Sequence, residues 1–357
     1  MLLIRQGEVS VGVPEPMILA TEEFMMTEHR STTRRTFLTR TAGVATAASA
    51  PYWVPASVFA GDASPQNRVR MGVVGVGGMG RANIDAFVNE SDVQLLAVCD
   101  VDARHRDIAK EIVDKHYGNQ DCTVYADFRE MLARGDLDAV VVATPDHWHA
   151  LASIAELDAG CDVYCEKPLA NSVAAGRAIC DAVARNNRIL QTGSHERSTD
   201  EVRRGCELVR SGVLGRVHTV HVNMPCSDPH HKQVRSLTTV PPAEPVPPEF
   251  DYNLWLGPAP DAPFTPKRCH FFWRFILDYG GGEMTHPGAH IIDLAQLALG
   301  QDDAGPVEIR ARGVAPTDSL YNTFFDYEFE NVYHDGVRLI GSTKSPRGIE
   351  FVGEEGS

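Results

Sequence analysis

Short runs of β-branched and apolar residues alternate with longer mixed segments through the first half of the chain. Residues 69–74 and 138–143 are two valine-rich runs of this kind, and such runs are typical of strands buried on both faces of a parallel sheet. Strands that alternate with helices fold as a doubly wound α/β sheet. The pattern predicts strands at 69–74, 93–99, 123–125, 138–143, 162–165 and 189–192, and helices at 81–88, 102–116, 128–132, 148–159 and 173–185.

The alternation ends near residue 192, and mainly strands are predicted after it. A proline-rich stretch at 230–248, with Pro241-Pro242 and Pro247-Pro248, predicts a long ordered loop or arm. Pro287 marks a helix start, because proline is favoured in the first helical turn. We therefore predict two domains, over residues 67–192 and 193–357. The strands predicted in the second domain lie at 216–222, 307–314, 323–329, 336–342 and 349–352.

Residues 1–66 fit neither domain and contain the features of an export leader. Residues 33–38 read Thr-Arg-Arg-Thr-Phe-Leu, and an alanine-rich, mildly apolar stretch follows that ends in Val-Phe-Ala at 58–60, with small residues at plausible cleavage positions. This twin-arginine pattern predicts a signal segment and export to the periplasm, and Met26 is a better-placed start than Met1. The alternative is a chance arginine pair before an alanine-rich linker. We expect residues 1–60 to lie outside the fold.

Composition narrows the class of protein. The 357 residues carry a formal net charge of −15, and so acidic a surface repels phosphate backbones and anionic lipid, which argues against a nucleic-acid partner. Apart from a marginal case in the leader, no apolar run reaches the roughly 18 residues of a membrane span. The 8 cysteines contain no Cys-x-x-Cys pair, so we expect most of them to be buried free thiols.

A glycine-rich turn follows the first strand and reads Gly-Val-Gly-Gly-Met-Gly at residues 75–80. Gly75 permits a tight turn, Gly77 lets the backbone approach a pyrophosphate, and Gly80 lets helix and strand pack closely. Asp100 follows the second strand, where a carboxylate accepts hydrogen bonds from the adenosine ribose and repels a 2′-phosphate. The turn therefore predicts a dinucleotide site with NAD preferred over NADP. The alternative for Asp100 is a cap of the following helix.

Other candidate residues follow later strands of the same sheet. Thr144-Pro145 follows the fourth predicted strand and Glu166-Lys167-Pro168 follows the fifth. Because ligands of doubly wound sheets bind beyond the carboxyl ends of the strands, one crevice should collect these residues and the glycine turn. An ammonium group beside a bound dinucleotide indicates redox chemistry on a small molecule. The alternative for Glu166 and Lys167 is a strand-end salt bridge.

Four ordered motifs resemble those of the Gfo/Idh/MocA family, which includes glucose-fructose oxidoreductase and inositol dehydrogenase. The resemblance runs from about Val69 to the C-terminus. The leader and Leu-Trp-Leu-Gly-Pro at 254–258 are similar to those of an exported bacterial subgroup of oxidoreductases. The motifs are the glycine turn at 75–80, Ala-Thr-Pro-Asp-His-Trp-His at 143–149, Glu-Lys-Pro at 166–168, and Gly-Gly-Gly at 280–282 leading to His290 and Asp293.

The resemblance implies an N-terminal Rossmann domain and a C-terminal α+β domain with a large, mostly antiparallel sheet. That sheet would cover the nucleotide crevice and mediate homo-oligomerisation. The resemblance also implies a tightly held NAD(P) and a sugar or polyol substrate. Relatives normally continue with more sheet and a helix, so the C-terminal domain looks truncated, which would expose a sheet edge. The cofactor-binding residues that match the family are Gly75, Gly77, Gly78, Met79, Gly80, Asp100, Thr144, Pro145, His149, Glu166 and Lys167.

Oxidation of a hydroxyl carbon needs a hydride acceptor, a base for the hydroxyl proton and a group that stabilises the alkoxide. By the family match, Lys167 lies next to the substrate and the nicotinamide, where its cation would stabilise the alkoxide. His290 is the candidate base, since a neutral imidazole suits proton transfer near neutral pH. Asp293 lies on the same helical face and would orient His290 or pair locally. Weaker candidates near the predicted rim are His195, Arg197, Arg274 and Tyr279.

The chain departs from the family pattern at His286, where relatives usually carry an aspartate. Pro287 disfavours helical geometry at His286, which we expect to precede the helix. The predicted catalytic group is therefore Lys167, His290 and His286. The histidine would shift the path of the proton, alter the preferred substrate, or favour hydride chemistry other than net dehydrogenation.

The histidines allow two further hypotheses. His147, Trp148 and His149 would open a helix at the crevice and line the sugar site, with Trp148 stacking on the sugar, or would only pack the helix start. A metal alternative places zinc or manganese on the histidine and carboxylate ligands. We predict no metal, because the family chemistry needs none. The metal alternative would use His286, His290 and Asp293, with His147 and His149 contributing.

We predict an exported NAD-dependent oxidoreductase that acts on CH–OH groups of a carbohydrate or polyol. Because no free pool of nicotinamide cofactor exists outside the cytoplasm, the cofactor would be retained and regenerated in place. One alternative is an NAD-dependent glycoside hydrolase on the same fold, which oxidises a ring carbon transiently, eliminates the aglycone, adds water and returns the hydride. Another is a non-enzymatic sugar-binding or regulatory protein, against which the presence of Lys167 and His290 argues.

Overall fold

The computed structural model describes residues 9–12, 67–226, 229–344 and 346–357. The twin-arginine pattern and the alanine-rich stretch lie outside these residues, so export stays a prediction, as do the two domain boundaries. In the part of the chain that is described, no helix is both long enough and apolar enough to cross a membrane.

Two six-stranded sheets organise the described residues. The strands are β1 (Val9–Gly12), β2 (Val69–Val74), β3 (Val93–Cys99), β4 (Thr123–Tyr125), β5 (Ala139–Val142), β6 (Asp162–Glu166), β7 (Leu190–Gly193), β8 (Val217–Asn223), β9 (Glu308–Val314), β10 (Asp326–Val332), β11 (Arg338–Ser342) and β12 (Gly348–Gly353). The α-helices are α1 (Gly78–Phe87), α2 (Ala103–Tyr117), α3 (Phe128–Leu132), α4 (Asp146–Asp158), α5 (Val173–Asn186), α6 (Asp200–Arg210), α7 (Pro229–Ser236), α8 (Tyr252–Leu256) and α9 (Pro287–Leu299). Short 3₁₀ helices lie at His195–Ser198, Phe272–Phe275 and Gly282–Met284.

The first sheet is entirely parallel, in the order β4-β3-β2-β5-β6-β7. Its central strands are valine-rich and contribute fully buried side chains such as Val73 and Val141. Burial on both faces explains the continuous apolar runs of the sequence. The predicted doubly wound sheet is confirmed, and its predicted strands and helices are present with ends within about three residues. As expected, most of the cysteines are buried free thiols, namely Cys99, Cys122, Cys161, Cys165, Cys206 and Cys269.

The second sheet has the order β1-β9-β10-β11-β8-β12, with one parallel pair, β11 with β8. The predicted large, mostly antiparallel sheet is therefore confirmed. At one edge, Val9–Gly12 pairs antiparallel with β9. The expectation that residues 1–60 lie outside the fold is wrong for these four residues, because they complete a sheet edge.

The proline-rich stretch at 230–248 is only partly a loop. Its first residues lie in α7, which buries His231 and Val234, so the loop prediction is wrong there. The sequence pattern also gave no indication of α6 or α8. Helix α6 is largely polar and buries only Cys206, while α8 has five residues, too few to show a helical period.

A cluster of aromatic side chains joins the start of α4 to the second domain. The side chains of His147 and Trp148 both donate hydrogen bonds to the backbone carbonyl of Trp255, at 3.0 Å each. The Trp255 ring stacks on Tyr252 and packs edge-on against Tyr279, with ring centroids 5.8 and 4.9 Å apart. These contacts fix the first turn of α4 against residues that lie far away in the chain.

Candidate active site

The glycine turn joins β2 to α1 in a conformation that requires glycine. Gly75 has a φ of +82°, and a Cβ there would lie 2.7 Å from backbone atoms of Ala143 and Thr144. A Cβ at Gly80 would lie 1.9 Å from the carbonyl oxygen of Gly75. The turn therefore brings the first turn of α1 against the end of β5 and leaves its N–H groups at the carboxyl edge of the sheet.

Asp100 lies beside this turn at the end of β3. Its carboxylate accepts hydrogen bonds from the backbone N–H groups of Val76 and Asp102, at 2.9 Å each, and lies 3.3 Å from His105 Nδ1. The helix cap is Asp102, whose side chain accepts from the N–H of Arg104, so the alternative role of Asp100 as the cap is wrong. The contact with Asp100 raises the pKa of His105, while Asp100 itself faces the cleft described next.

A cleft of about 380 Å³ follows the carboxyl edge of the first sheet. Side chains of the second domain line its other side, among them Phe250, Trp273 and Arg274. Gly80 and His290 are the two predicted site residues that do not line it; Gly80 packs beneath the turn. The predicted site residues that line the cleft are Gly75, Gly77, Gly78, Met79, Asp100, Thr144, Pro145, His149, Glu166, Lys167 and His286.

Two buried oxygens in the cleft, Glu166 Oε2 and Thr144 Oγ1, have no hydrogen-bond partner among the residues that the structure describes. The other Glu166 oxygen accepts a hydrogen bond of 3.0 Å from Asn83. Because buried polar atoms are rarely left unpaired, these oxygens mark positions that suit the hydroxyl groups of a ligand. With the glycine turn and Asp100, they fit a dinucleotide. Within the described ranges Glu166 and Lys167 form no ion pair, so the salt-bridge alternative is wrong.

Lys167, His286 and Asp146 form a row at the end of the cleft. Lys167 follows β6, and its peptide bond to Pro168 is cis. Its Nζ lies 3.4 Å from His286 Nδ1, and His286 Nε2 lies 3.8 Å from Asp146 Oδ2. His286 immediately precedes α9, outside the helix as predicted, and Asp146 is the first residue of α4. A carboxyl group of the first domain therefore lies beside the histidine of the second.

Burial acts on the protonation of each group in this row. It lowers the pKa of Lys167, an effect that the charge of Asp146 opposes. It lowers the pKa of His286 to about 2, and the Lys167 and Arg274 cations act in the same direction. It raises the pKa of Asp146 well above its usual range, against the same two cations. His286 is therefore a neutral imidazole, with one ring nitrogen protonated and the other free to accept.

His290 lies one helical turn after His286. Burial, followed by the charge of Lys167, lowers the pKa of His290 to about 4. Its imidazole is therefore neutral at neutral pH and able to accept a proton, as a base requires. Towards the surface, its ring lies 4.8 Å from that of His195, and its Nδ1 lies 4.0 Å from Glu196.

His149 and Trp148 have roles that the sequence left open. The two ring nitrogens of His149 lie 2.7 and 2.9 Å from the backbone carbonyl oxygens of Pro168 and Thr144. His149 thus holds together two loops of the cleft, and direct contact with a cofactor stays a prediction. Trp148 lines the cleft and packs edge-on against Phe128, with centroids 5.8 Å apart; stacking on a sugar stays a prediction.

The metal site suggested by the sequence is not assembled. Both carboxylate oxygens of Asp293 accept hydrogen bonds from Arg197 at 2.6 Å, so the prediction that Asp293 orients His290 is wrong. His147 and His149 are hydrogen-bonded to backbone carbonyls. Three other sets of side chains, taken over the described residues, have ligand atoms close enough to share a cation. They are Asp102, His105 and His270; His195, Glu196 and His290; and His230, His231 and Glu283.

Sequence reasoning missed Asp146 and gave little weight to Arg274. Asp146 is 2% exposed and directly follows Thr144-Pro145, a position beyond a strand end that could have identified it. Arg274 lies over the rings of Trp273 and Phe271, 4.8 and 4.9 Å from their centroids. It comes from a second-domain segment without a periodic pattern, so no signal in the sequence places it at the cleft.

Two family models match the chain. A model described as an oxidoreductase family with an NAD-binding Rossmann fold matches residues 69–194. A second model, the C-terminal alpha/beta domain of an oxidoreductase family, matches residues 198–352. Together they cover most of the chain, and they agree with the two sheets of the structure and with the predicted NAD site.

Individual proteins are similar over shorter lengths. Inositol 2-dehydrogenase 1 of Saccharopolyspora erythraea is 35% identical over 161 residues, which cover 43% of this chain and 46% of that protein. A glycosyl hydrolase family 109 protein of Shewanella sp. is 29% identical over 203 residues, 52% of this chain and 44% of that protein. This chain thus spans less than half the length of either relative. The crystal structure of GenD2 from gentamicin A biosynthesis in complex with NAD aligns with a TM-score of 0.60 at 22% identity, over 81% of this chain and 71% of that one; this likeness shows the fold.

Proposed function

The chain belongs to the Gfo/Idh/MocA family of oxidoreductases, and on that premise we propose that it transfers a hydride between a hydroxyl-bearing carbon of a carbohydrate or polyol and a tightly held NAD. The observation that carries the proposal is the position of Lys167 and His286 in a cleft whose other walls fit a dinucleotide. The similarity to an inositol 2-dehydrogenase supports a polyol or sugar substrate.

The residues that would hold NAD divide by the part of the molecule they suit. The glycine turn and the start of α1 suit the pyrophosphate, Asp100 suits the adenosine ribose, and the unpaired oxygens of Glu166 and Thr144 suit donor groups further along the cleft. When bound there, the nicotinamide ring supplies the hydride acceptor. The protein side of the reaction then falls to Lys167 and the two histidines.

Lys167 and His290 divide the work on the substrate hydroxyl. The neutral imidazole of His290 accepts the hydroxyl proton, and the Lys167 ammonium group stabilises the negative charge that develops on the oxygen. After the transfer, His290 carries the proton beside exposed His195 and half-buried Glu196, which offer it a path to water. Loss of one hydride and one proton leaves a ketone.

We extend the proposal to location and assembly. The twin-arginine pattern at residues 33–38 supports export to the periplasm, where a retained cofactor would be regenerated by a second substrate. The second sheet supports homo-oligomerisation, because its edge strand β12 leaves backbone groups available for pairing. Small-angle scattering of the purified protein would measure the number of copies.

A transient-oxidation glycosidase is the second candidate, supported by the similarity to a glycosyl hydrolase family 109 protein. In that reaction the hydride returns to the sugar, so NADH does not accumulate. A nitrophenyl glycoside separates the two functions. Release of nitrophenol without net NADH supports the glycosidase, whereas NADH formed from an unsubstituted polyol supports the dehydrogenase.

The proposed function is tested on natively purified protein. We expect denaturation to release NAD, and a polyol or sugar panel to produce absorbance of reduced nicotinamide. Lys167→Ala should lower kcat by about 10²–10³-fold, as removal of an alkoxide-stabilising group does. Lys110→Ala is the matched control, because that lysine is paired with Asp114 on α2, away from the cleft. Protein that carries no dinucleotide and does not bind added NAD would refute the proposal.

A further inference from the structure

Two buried polar atoms face each other across the boundary between the domains. Asp146 Oδ2 and His286 Nε2 are 3.8 Å apart, and neither has a hydrogen-bond partner within the described part of the chain. The Asp146 side chain is 2% exposed and that of His286 is 11% exposed. A hydrogen bond of about 3.0 Å requires an approach of only ~0.8 Å. Because hydrogen bonds at active sites are often long without ligands and shorten in the reacting complex, this approach is expected during turnover.

The other nitrogen of the same ring sets the direction of the hydrogen bond. His286 Nδ1 lies 3.4 Å from Lys167 Nζ, and an ammonium group can only donate. Nδ1 must therefore accept, which leaves the single proton of the neutral ring on Nε2. That nitrogen lies 3.8 Å from Asp146 Oδ2, an atom that can accept a hydrogen bond.

We propose that Asp146 is a positioning residue of the hydride-transfer site: its carboxyl group accepts a hydrogen bond from His286 Nε2–H, and His286 Nδ1 in turn accepts one from Lys167. The inference rests on the proposed function. Asp146 acts through His286 and does not touch the substrate. The bond to His286 uses one of the three N–H groups of Lys167 and fixes the direction of the other two, which remain for the substrate oxygen.

This arrangement gives His286 a specific task. An imidazole has two ring nitrogens, so His286 of the second domain passes the orienting effect of Asp146 to Lys167, and both of these residues belong to the first domain. Asp146 is the first residue of α4. The next two residues, His147 and Trp148, donate hydrogen bonds to the backbone carbonyl of Trp255. The same helical turn that joins the domains therefore also orients the lysine.

The chain offers a matched control on the same helix. Glu156 lies ten residues after Asp146 in α4, roughly 15 Å along its axis. It is fully buried, both of its oxygens lack a hydrogen-bond partner among the described residues, and burial raises its pKa well above the usual range. It does not line the cleft. Glu156→Gln thus alters a buried carboxyl group of α4 without changing Lys167, His286 or Asp146.

The kinetic test compares three variants of the full protein loaded with NAD. Asp146→Leu should lower kcat about 10–100-fold, by analogy with loss of the carboxylate that orients a metal-binding histidine, with little change in KM. Asp146→Asn keeps an oxygen that can accept from His286 and should retain more activity than Asp146→Leu. Glu156→Gln should match the wild-type enzyme. Melting temperatures of all variants exclude unfolding as the cause.

A spectroscopic test needs no turnover. In long-range ¹H–¹⁵N spectra, assigned with the variant His286→Gln, His286 should show Nδ1 unprotonated and a slowly exchanging Nε2–H signal shifted downfield. Asp146→Asn and Glu156→Gln should keep that signal, and Asp146→Leu should lose its downfield shift.

Three results would overturn the proposal: a wild-type His286 with its proton on Nδ1, an Nε2–H signal unchanged in Asp146→Leu, or wild-type kcat in Asp146→Leu. If the wild-type protein oxidises no polyol or sugar, the proposed function fails separately. The spectra then decide on their own whether Asp146 positions His286.

Discussion

At the scale of single residues, four histidines near the site differ in what their ring nitrogens are free to do. Both ring nitrogens of His149 lie within hydrogen-bonding distance of backbone carbonyl oxygens, and one ring nitrogen of His147 donates a hydrogen bond to the carbonyl of Trp255. His286 lies between Lys167 and Asp146. The Nδ1 atom of His290 lies 4.0 Å from Glu196, and the described residues form no hydrogen bond with its ring. Its ring nitrogens are therefore available for the proposed role as proton acceptor.

The pH dependence of the reaction should show the lowered pKa of His290. Because only the neutral ring accepts a proton, kcat/KM should stay high below pH 6.5 and fall as the pH drops through about 4. His290→Asn should lower kcat by about 10²–10⁴-fold and remove that acid limb. An acid limb near pH 6.5 that persists in His290→Asn would contradict the assignment.

The His290 imidazole should affect stability in the same direction as activity, since both decrease when the pH falls. The unfolded chain binds the proton with an ordinary histidine pKa of about 6.5, whereas the folded protein binds it only near 4. Stability from this group is therefore complete above pH 6.5 and declines as the pH falls towards 4. Circular dichroism at each pH separates this loss of folded protein from the titration of His290 as the proposed base.

At the scale of elements, the ends of parallel strands do most to build the site. The glycine turn, Asp100 and Thr144-Pro145 each follow a strand of the first sheet, and Glu166-Lys167 lies at the end of β6. Parallel register brings these ends to one edge, so their proximity follows once the strands are recognised. The contact between the start of a helix and the end of a strand tolerates few substitutions, because the two backbones lie too close together to admit a side chain.

Replacement of Gly80 tests that space. A Cβ in Gly80→Ala would lie 1.9 Å from the carbonyl oxygen of Gly75, so α1 must move away from the turn. We expect a loss of about 1–3 kcal/mol in the free energy of unfolding and weaker binding of NAD, measured by urea unfolding and by titration. Gly205→Ala in α6 is the control, since nothing lies within 4 Å of its Cβ; it should stabilise the protein by about 1 kcal/mol. Equal effects of the two substitutions would refute the close packing of the turn.

At the scale of the whole molecule, the cleft belongs to both domains. Trp273 and Arg274 of the second domain line it opposite the strand ends of the first, and His286 reaches Lys167 across it. A ligand in the cleft therefore contacts both domains and should stabilise them together.

Thermal unfolding with added nucleotide tests this coupling. Protein stripped of nucleotide should unfold in one transition, and NAD at a hundred times its Kd should stabilise it by about 2.7 kcal/mol. NADP at the same concentration is the control and should stabilise less, because the Asp100 carboxylate repels a 2′-phosphate. Two transitions, of which NAD shifts only one, would show that the second domain takes no part in binding.

The sequence by itself determined the first domain and its nucleotide motif. Its signals are local: valine runs such as 138–143, the spacing of Gly75 and Gly80, and Asp100 after a strand. Local steric and hydrogen-bonding requirements fix each of these, so neighbouring residues suffice to recognise them. Short or polar elements, such as α6 and the start of α7, carried no such pattern.

Only the tertiary structure determined which side chains the polar residues of the site contact. Nothing in the sequence places Asp146 next to His286 or Asp293 next to Arg197, and Arg274 was only a weaker candidate near the predicted rim. Each of these contacts joins segments distant in the chain, and those of Asp146 and Arg274 depend on the packing of the second domain against the first. Contacts of this kind follow from tertiary packing, which no local pattern records, and they distinguish the carboxyl group beside His286 from the one that binds Arg197.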